Sequence, residues 1–219
     1  MALTTERFLQ GMTPSEHMAN MKINKERFSQ VLANVEIAVE DKEYFSNLPS
    51  PLRVGVITED WCGDHVSTVP VLYKLADDTG KLDVRVFMRD QNWDLAEVYL
   101  PENRRDTVPV FAFFTPDDMR HIGLFIETSQ ELVPDIDGME DEIKKAHPEV
   151  PDISKDVNEM SESTRNLLRH ERGMFRVNRA HEWGKVISRN FREVVVAGLA
   201  RNPGEGPAQG GTKWPPDPD

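Results

Sequence analysis

The chain's single cysteine, Cys62, stands where a buried-strand pattern gives way to a helical one. Pro51-Leu52-Arg53-Val54-Gly55-Val56-Ile57 reads as a strand, residues 66–76 read as a helix, and Thr79-Gly80 reads as its stop. Residues 82–88 then alternate, with Leu82, Val84, Val86 and Met88 on one face. Two strands of this length joined by a helix pair in parallel through a right-handed crossover. The spacing therefore predicts an α/β core with the cysteine at a strand-to-helix junction. That placement matters chemically. The first turn of a helix leaves backbone N–H groups unpaired and carries the positive end of the macrodipole, which stabilises a thiolate.

The rest of the core follows in order. Residues 92–100 read as a short helix stopped by Pro101. Residues 108–114 and 121–126 flank Thr115-Pro116-Asp117-Asp118-Met119, which is turn chemistry between antiparallel strands. Thr128-x-x-Glu131 reads as the cap of a helix that ends before His147-Pro148.

Two motifs in this core carry a resemblance. Trp61-Cys62-Gly63, with Pro70 eight residues after the cysteine, resembles the active-site helix of thioredoxin. Thr107-Val108-Pro109, ahead of a strand, resembles its cis-proline loop. Glu59-Asp60-Trp61-Cys62-Gly63-Asp64 together with Arg89-Asp90-x-Asn92 is similar to a group of small bacterial thioredoxin-like proteins. The resemblance spans about residues 52–146 and implies a mixed sheet flanked by helices. It also implies a site in which Cys62 is the nucleophile, Trp61 shapes a substrate groove, and Val108 and Pro109 present backbone to an extended substrate by strand-like pairing.

The departures limit the chemistry. Thioredoxin has a second cysteine three residues after the first, where this chain has His65, and a buried aspartate six residues before it, where this chain has Val56. One cysteine cannot close an intramolecular disulfide, so an external thiol or a second chain must resolve any mixed disulfide. His65 lies one helical turn from Cys62, from where an imidazolium would stabilise the thiolate or an imidazole act as base. Its alternative role is a polar residue that merely fills the second-cysteine position. Glu59, Asp60 and Asp64 are expected to make the mouth acidic, raising the cysteine pKa against the helix dipole.

Four regions are expected: an N-terminal helical extension over 1–50, a thioredoxin-like domain over 51–147, an amphipathic helical segment over 148–201 and a Gly/Pro-rich tail over 202–219. In the first, Thr13-Pro14-Ser15-Glu16 combines an N-cap, a proline at N1 and a capping-box glutamate. Phe28, Val31, Leu32, Val35, Ala38 and Val39 read as one apolar face of a second helix. Residues 156–200 read as helical with a break near Gly173, and Ala180, Trp183, Ile187, Phe191, Val194, Val195 and Leu199 trace an apolar stripe opposite the arginines. The tail from Asn202 is expected to be disordered on its own.

Charge and composition exclude some functions. The formal net charge is −12, which argues against general nucleic-acid binding. Residues 160–201 carry 9 bases and 4 acids, a local +5 that leaves −17 for the remainder. This asymmetry points the C-terminal segment toward the acidic body, a second copy or a partner protein. No apolar run reaches the roughly 20 residues of a membrane span, and no signal peptide is visible, so a reducing, cytoplasmic setting is expected. The scattered histidines lack ligand spacing, so no metal or other cofactor is expected. Two function classes remain: a monothiol thiol–disulfide oxidoreductase acting on protein or low-molecular-weight disulfides, and a binding or assembly protein without turnover.

Overall fold

Strand β1 (Leu52–Thr58) lies inside the sheet: six of its seven residues are buried, and only an interior position covers both faces of such a run. It pairs in parallel with β2 (Leu82–Met88), Val54 opposite Val84, and antiparallel with β3 (Val110–Phe114), Val56 opposite Phe111. A hairpin joins β3 to β4 (His121–Ile126), and β5 (Ala208–Gly211) adds in parallel to β4. The order β2-β1-β3-β4-β5 makes one mixed sheet. This is a computed structural model, and it describes residues 3–100 and 104–212.

Period-2 alternation divides the sheet's side chains between two cores. Val54, Val56, Phe111, Phe113 and Phe125 face one side, and Ile57, Val110, Ala112, Phe114, Leu124 and Ile126 face the other. The N-terminal region supplies α1 (Thr5–Leu9), α2 (Pro14–Asn20), α3 (Lys25–Asn34) and α4 (Val39–Ser46). After β1 comes α5 (Gly63–Thr79), then α6 (Trp93–Tyr99), α7 (Val133–Ala146) and the 38-residue α8 (Glu162–Leu199). Phe8 of α1 with Leu95 and Tyr99 of α6 covers the second face, while α3, α5 and α8 cover the first. Among the described residues, no helix is long and apolar enough to cross a membrane.

The capping box at Thr13 and Glu16 forms as expected: each side chain takes the other residue's backbone N–H. Other expectations need correction. The apolar run from Phe28 to Val39 is two helices, because the chain turns extended at Val35 and Ala38 caps α4, leaving Val39 exposed. The reason lies across the interface. A Cβ on Gly184 would sit 2.7 Å from the Glu36 carbonyl oxygen, so this glycine lets the backbone of the 35–38 segment lie directly on α8. Gly173 makes no break either; it receives the Arg27 side chain, and α8 runs through it. Thr128 does not cap α7, which starts at Val133 after a 3-10 turn with Pro134 in its first turn.

The apolar stripe of α8 is covered by the chain's own sheet. The Phe191 ring lies 4.8 Å from that of Phe125 and 5.1 Å from that of Phe111, centroid to centroid. Leu199 alone of the stripe is exposed. The start of the Gly/Pro-rich tail is ordered, not disordered, because it provides β5. Gly210 lies where a Cβ would be 2.3 Å from a Val194 methyl, so only a glycine fits between β4 and α8. Residues 213–219 lie outside the described residues.

Candidate functional site

Cys62 is the N-cap of α5, with extended backbone at φ −75° and ψ 135°. The loop that crosses in front of it carries the cis peptide bond Val108–Pro109. The Cys62 Sγ–H donates to the Val108 carbonyl oxygen at 3.2 Å, so residues 46 apart in sequence meet at one point. The helix dipole does not decide the ionisation of this thiol. Burial pushes its pKa up to about 11, the Asp64 carboxylate adds to the rise, and the amides of His65 and Asp64 and the Arg176 guanidinium only partly oppose it. At neutral pH the group is a thiol.

Of the three acids expected at the mouth, only Asp64 is directed at the cysteine. Glu59 is buried and accepts from the Asp90 amide at 2.8 Å, which ties the end of β1 to the turn after β2. Asp60 is buried too; its Oδ2 accepts from the amides of Lys22 and Ile23 at 2.8 and 3.0 Å and so anchors the α2–α3 loop. Both carboxylates act as struts. The carboxyl of Asp64 titrates above its ordinary range because it is buried, an effect partly offset by Arg176.

His65 is fully buried in the first core. Its Nδ1 pairs with the Thr58 hydroxyl at 2.9 Å, its ring stacks on Phe28 at 5.0 Å, and the His17 ring stands edge-on to it at 5.2 Å. Burial, then the neighbouring His17, holds its pKa down at about 3. His17, hydrogen-bonded to the Tyr73 hydroxyl at 2.8 Å, is held at about 4, chiefly by burial. Both imidazoles are neutral at pH 7, and among the described residues the His65 ring pairs with Thr58 and makes no hydrogen bond to the Cys62 sulfur; only the His65 backbone amide reaches it.

Trp61 is half exposed beside the cysteine. The buried Arg89 guanidinium lies 5.4 Å from its ring centroid and 4.8 Å from that of Trp93, in cation–π geometry. The Arg89 Nε and Nη2 both donate to Asp90 Oδ1, at 3.0 and 2.8 Å. On the other side of the cysteine, Arg176 of α8 covers Gly63 so closely that a Cβ there would be 2.3 Å from its Nη2. Among the described residues, no three histidine, cysteine or carboxylate side chains converge to hold a metal ion.

A family model described as thioredoxin matches residues 11–137, more than half of the chain. This chain belongs to the thioredoxin family. No curated protein sequence matches it. Among solved structures, a protein of unknown function from Pseudomonas aeruginosa superposes with a TM-score of 0.52 at 14% identity, over 80% of this chain and 99% of that one. An HIV epitope-scaffold protein matches with a TM-score of 0.48 at 13% identity, over 82% and 95% of the two chains. At 14% identity the likeness to the Pseudomonas aeruginosa protein is one of fold alone.

The match begins at Gly11, so the family's model includes much of the N-terminal helical region as well as the sheet and the Cys62 motif. In this thioredoxin-family chain, sequence reasoning singled out Trp61, Cys62, Val108 and Pro109, of which Cys62 and Val108 touch beyond the C-terminal end of β1, and His65, which lies buried in the core. It quoted Arg89 only as part of a motif, with no role at the site, and missed Arg176. Arg176 belongs to a row of arginines at helical spacing that reads as a solvated face; only the packing of α8 across the start of α5 turns part of that row inward.

Proposed function

We propose that this protein carries out thiol–disulfide exchange through Cys62 alone, with an external thiol completing the cycle. One observation carries the reading: the sulfur sits at the N-cap of α5, 3.2 Å from the Val108 carbonyl on the cis-proline loop. A disulfide-bearing substrate strand paired to the Val108 backbone would present its sulfurs there. The half-exposed Trp61 would form one wall of the groove. Cys62 loses its proton, its thiolate attacks one substrate sulfur, the substrate S–S bond breaks, and the other sulfur leaves as a thiolate that takes a proton. A second, external thiolate then attacks the substrate-side sulfur of the mixed disulfide, and Cys62 leaves and is reprotonated. No net oxidant is needed.

A pKa of about 11 leaves about 10⁻⁴ of the sulfur ionised at pH 7, against a few per cent for a free thiol, so exchange at this site is slow. His65, neutral and enclosed, supplies no charge to the thiolate. These features favour a second reading, in which the same face binds a strand without turnover. A homo-oligomer or a partner protein at the C-terminal helix would use the charged outer face of α8, since its apolar stripe is spent in the core. A reducing, cytoplasmic setting belongs to the same proposal.

Intact-mass analysis separates the readings. Incubation with a peptide disulfide is expected to give one mixed-disulfide adduct on the folded chain, lost on adding a small thiol and absent in Cys62→Ser. Lasting absence of the adduct, with the urea-unfolded chain reacting normally, would leave binding without turnover.

A further inference from the structure

A cavity of about 560 Å³ opens beside the cysteine, between Trp61 and Gly63 on one side and helices α3, α7 and α8 on the other. This is the size range of small-molecule sites. Its floor is apolar, from Val66, Ile136 and Met139, and four arginines line it: Arg27 from α3 and Arg169, Arg172 and Arg176 from α8. The acids among its lining residues are Asp137 and Glu140, so the wall carries an excess of two positive charges in a chain whose net charge is −12.

The arginines are incompletely neutralised. Glu140 is engaged by Arg172 and, at 3.1 Å, by Lys144. Among the described residues, Arg169 bonds only to the neutral Asn166 amide, at 2.9 Å. Arg27 bonds to Gln30 and His170, at 2.7 and 2.9 Å, and its nearest carboxylate, on the highly exposed Glu26, is 3.9 Å away. Arg176 is the decisive case. It is 9% exposed, its Nη1 donates to the Met139 sulfur and the Arg172 carbonyl, and among the described residues its Nε has no partner. Its one facing carboxylate, Asp64, stands 3.9 Å from Nη2 with an oxygen that accepts no hydrogen bond. A buried guanidinium ordinarily has charged, hydrogen-bonded partners.

We propose that this cavity binds a small dicarboxylate of about tripeptide size, its carboxylates on Arg176 and the Arg27–Arg169 rim and its body on the Val66–Met139 floor. The arginine fork is suited to planar oxyanions. The site does not require Cys62 to react. If Cys62 performs the exchange proposed above, a thiol carrying such carboxylates would reach the mixed disulfide from here and serve as the resolving thiol.

The test is isothermal calorimetry on the full chain with S-methylglutathione, a dicarboxylate tripeptide whose sulfur is blocked, and with its diethyl ester. The diacid is expected to bind, the diester about tenfold or more weaker, and Cys62→Ser to bind like the parent. Arg176→Gln should abolish binding. The rim variant Arg169→Gln, at an exposed arginine, should weaken it about tenfold while keeping the parent's thermal midpoint. Equal affinity for acid and ester, no binding of the acid, or affinity unmoved by the rim variant overturns the proposal. Those outcomes leave the peptide-disulfide adduct at Cys62 untouched, so failure of this site and failure of the exchange reading are read separately.

Discussion

The Cys62 thiol donates its hydrogen bond to the Val108 carbonyl at 3.2 Å, and the charges nearest to it pull in opposite directions: Asp64 raises its pKa and Arg176 lowers it. Removing the acid should therefore free the thiolate. Asp64→Asn is expected to speed alkylation of Cys62 by iodoacetamide several-fold at pH 8. Arg176→Met should slow it. The same sign for both variants would mean that packing, not charge, governs the sulfur.

The two buried histidines fix the acid side of the stability profile. His65 and His17 titrate near 3 and 4 in the folded chain, against about 6.5 unfolded. Between those values the unfolded chain binds more protons, so stability falls as pH drops below about 6.5, by at most about 1.4 kcal/mol per pH unit for each histidine. His65→Gln, which can keep a bond to the Thr58 hydroxyl, should flatten the slope of thermal midpoint against pH between 5 and 6.5. An unchanged slope in that window would show that His65 is protonated in the fold.

Glycines in helices give a contrast with a definite sign. A Cβ on Gly198 would lie 2.0 Å from the Ile122 carbonyl oxygen, whereas one on Gly138 of α7 meets nothing within 4 Å. Gly138→Ala is expected to stabilise by about 0.5–1 kcal/mol through helix propensity. Gly198→Ala must move α8 off β4 and should destabilise by about 1–3 kcal/mol despite the same propensity gain. Urea midpoints of the two variants check both.

Much of the core was legible because its signals are local. The alternation of Leu82 to Met88, the turn at Pro116-Asp117 and the capping box at Thr13 each depend on neighbours a few residues away. The site was legible only where a motif named it. That Cys62 and Val108 meet follows from the antiparallel return of β3 beside β1, for which the spacing of the two motifs is the sole trace. The inward turn of Glu59, Asp60 and His65 left no such trace. Their partners, the Asp90, Lys22 and Ile23 amides and the Phe28 and His17 rings, come from segments whose approach is set by tertiary packing. The same holds for Gly173 and Gly210, which read as helix weakness and disorder but are points of close contact.

The raised thiol pKa also affects stability in alkali. The folded chain holds the Cys62 proton up to about 11, while an unfolded thiol releases it near 8.5. The stabilisation is complete below about 8.5 and is lost as pH rises from there through 11. Cys62→Ala should therefore show a shallower decline of thermal midpoint between pH 8.5 and 10.5 than the parent chain. Parallel declines would place the thiol's folded pKa at its ordinary value.

On the exchange proposal, Cys62 is the nucleophile, held in the resting protein as a protonated, enclosed thiol. The rate of its alkylation as a function of pH, followed by intact mass on the folded chain, tests this most directly. The account predicts a rate at pH 7 about tenfold or more below that of free cysteine, climbing without a plateau to about pH 11. A profile that levels off at or below about pH 8.5 would contradict it.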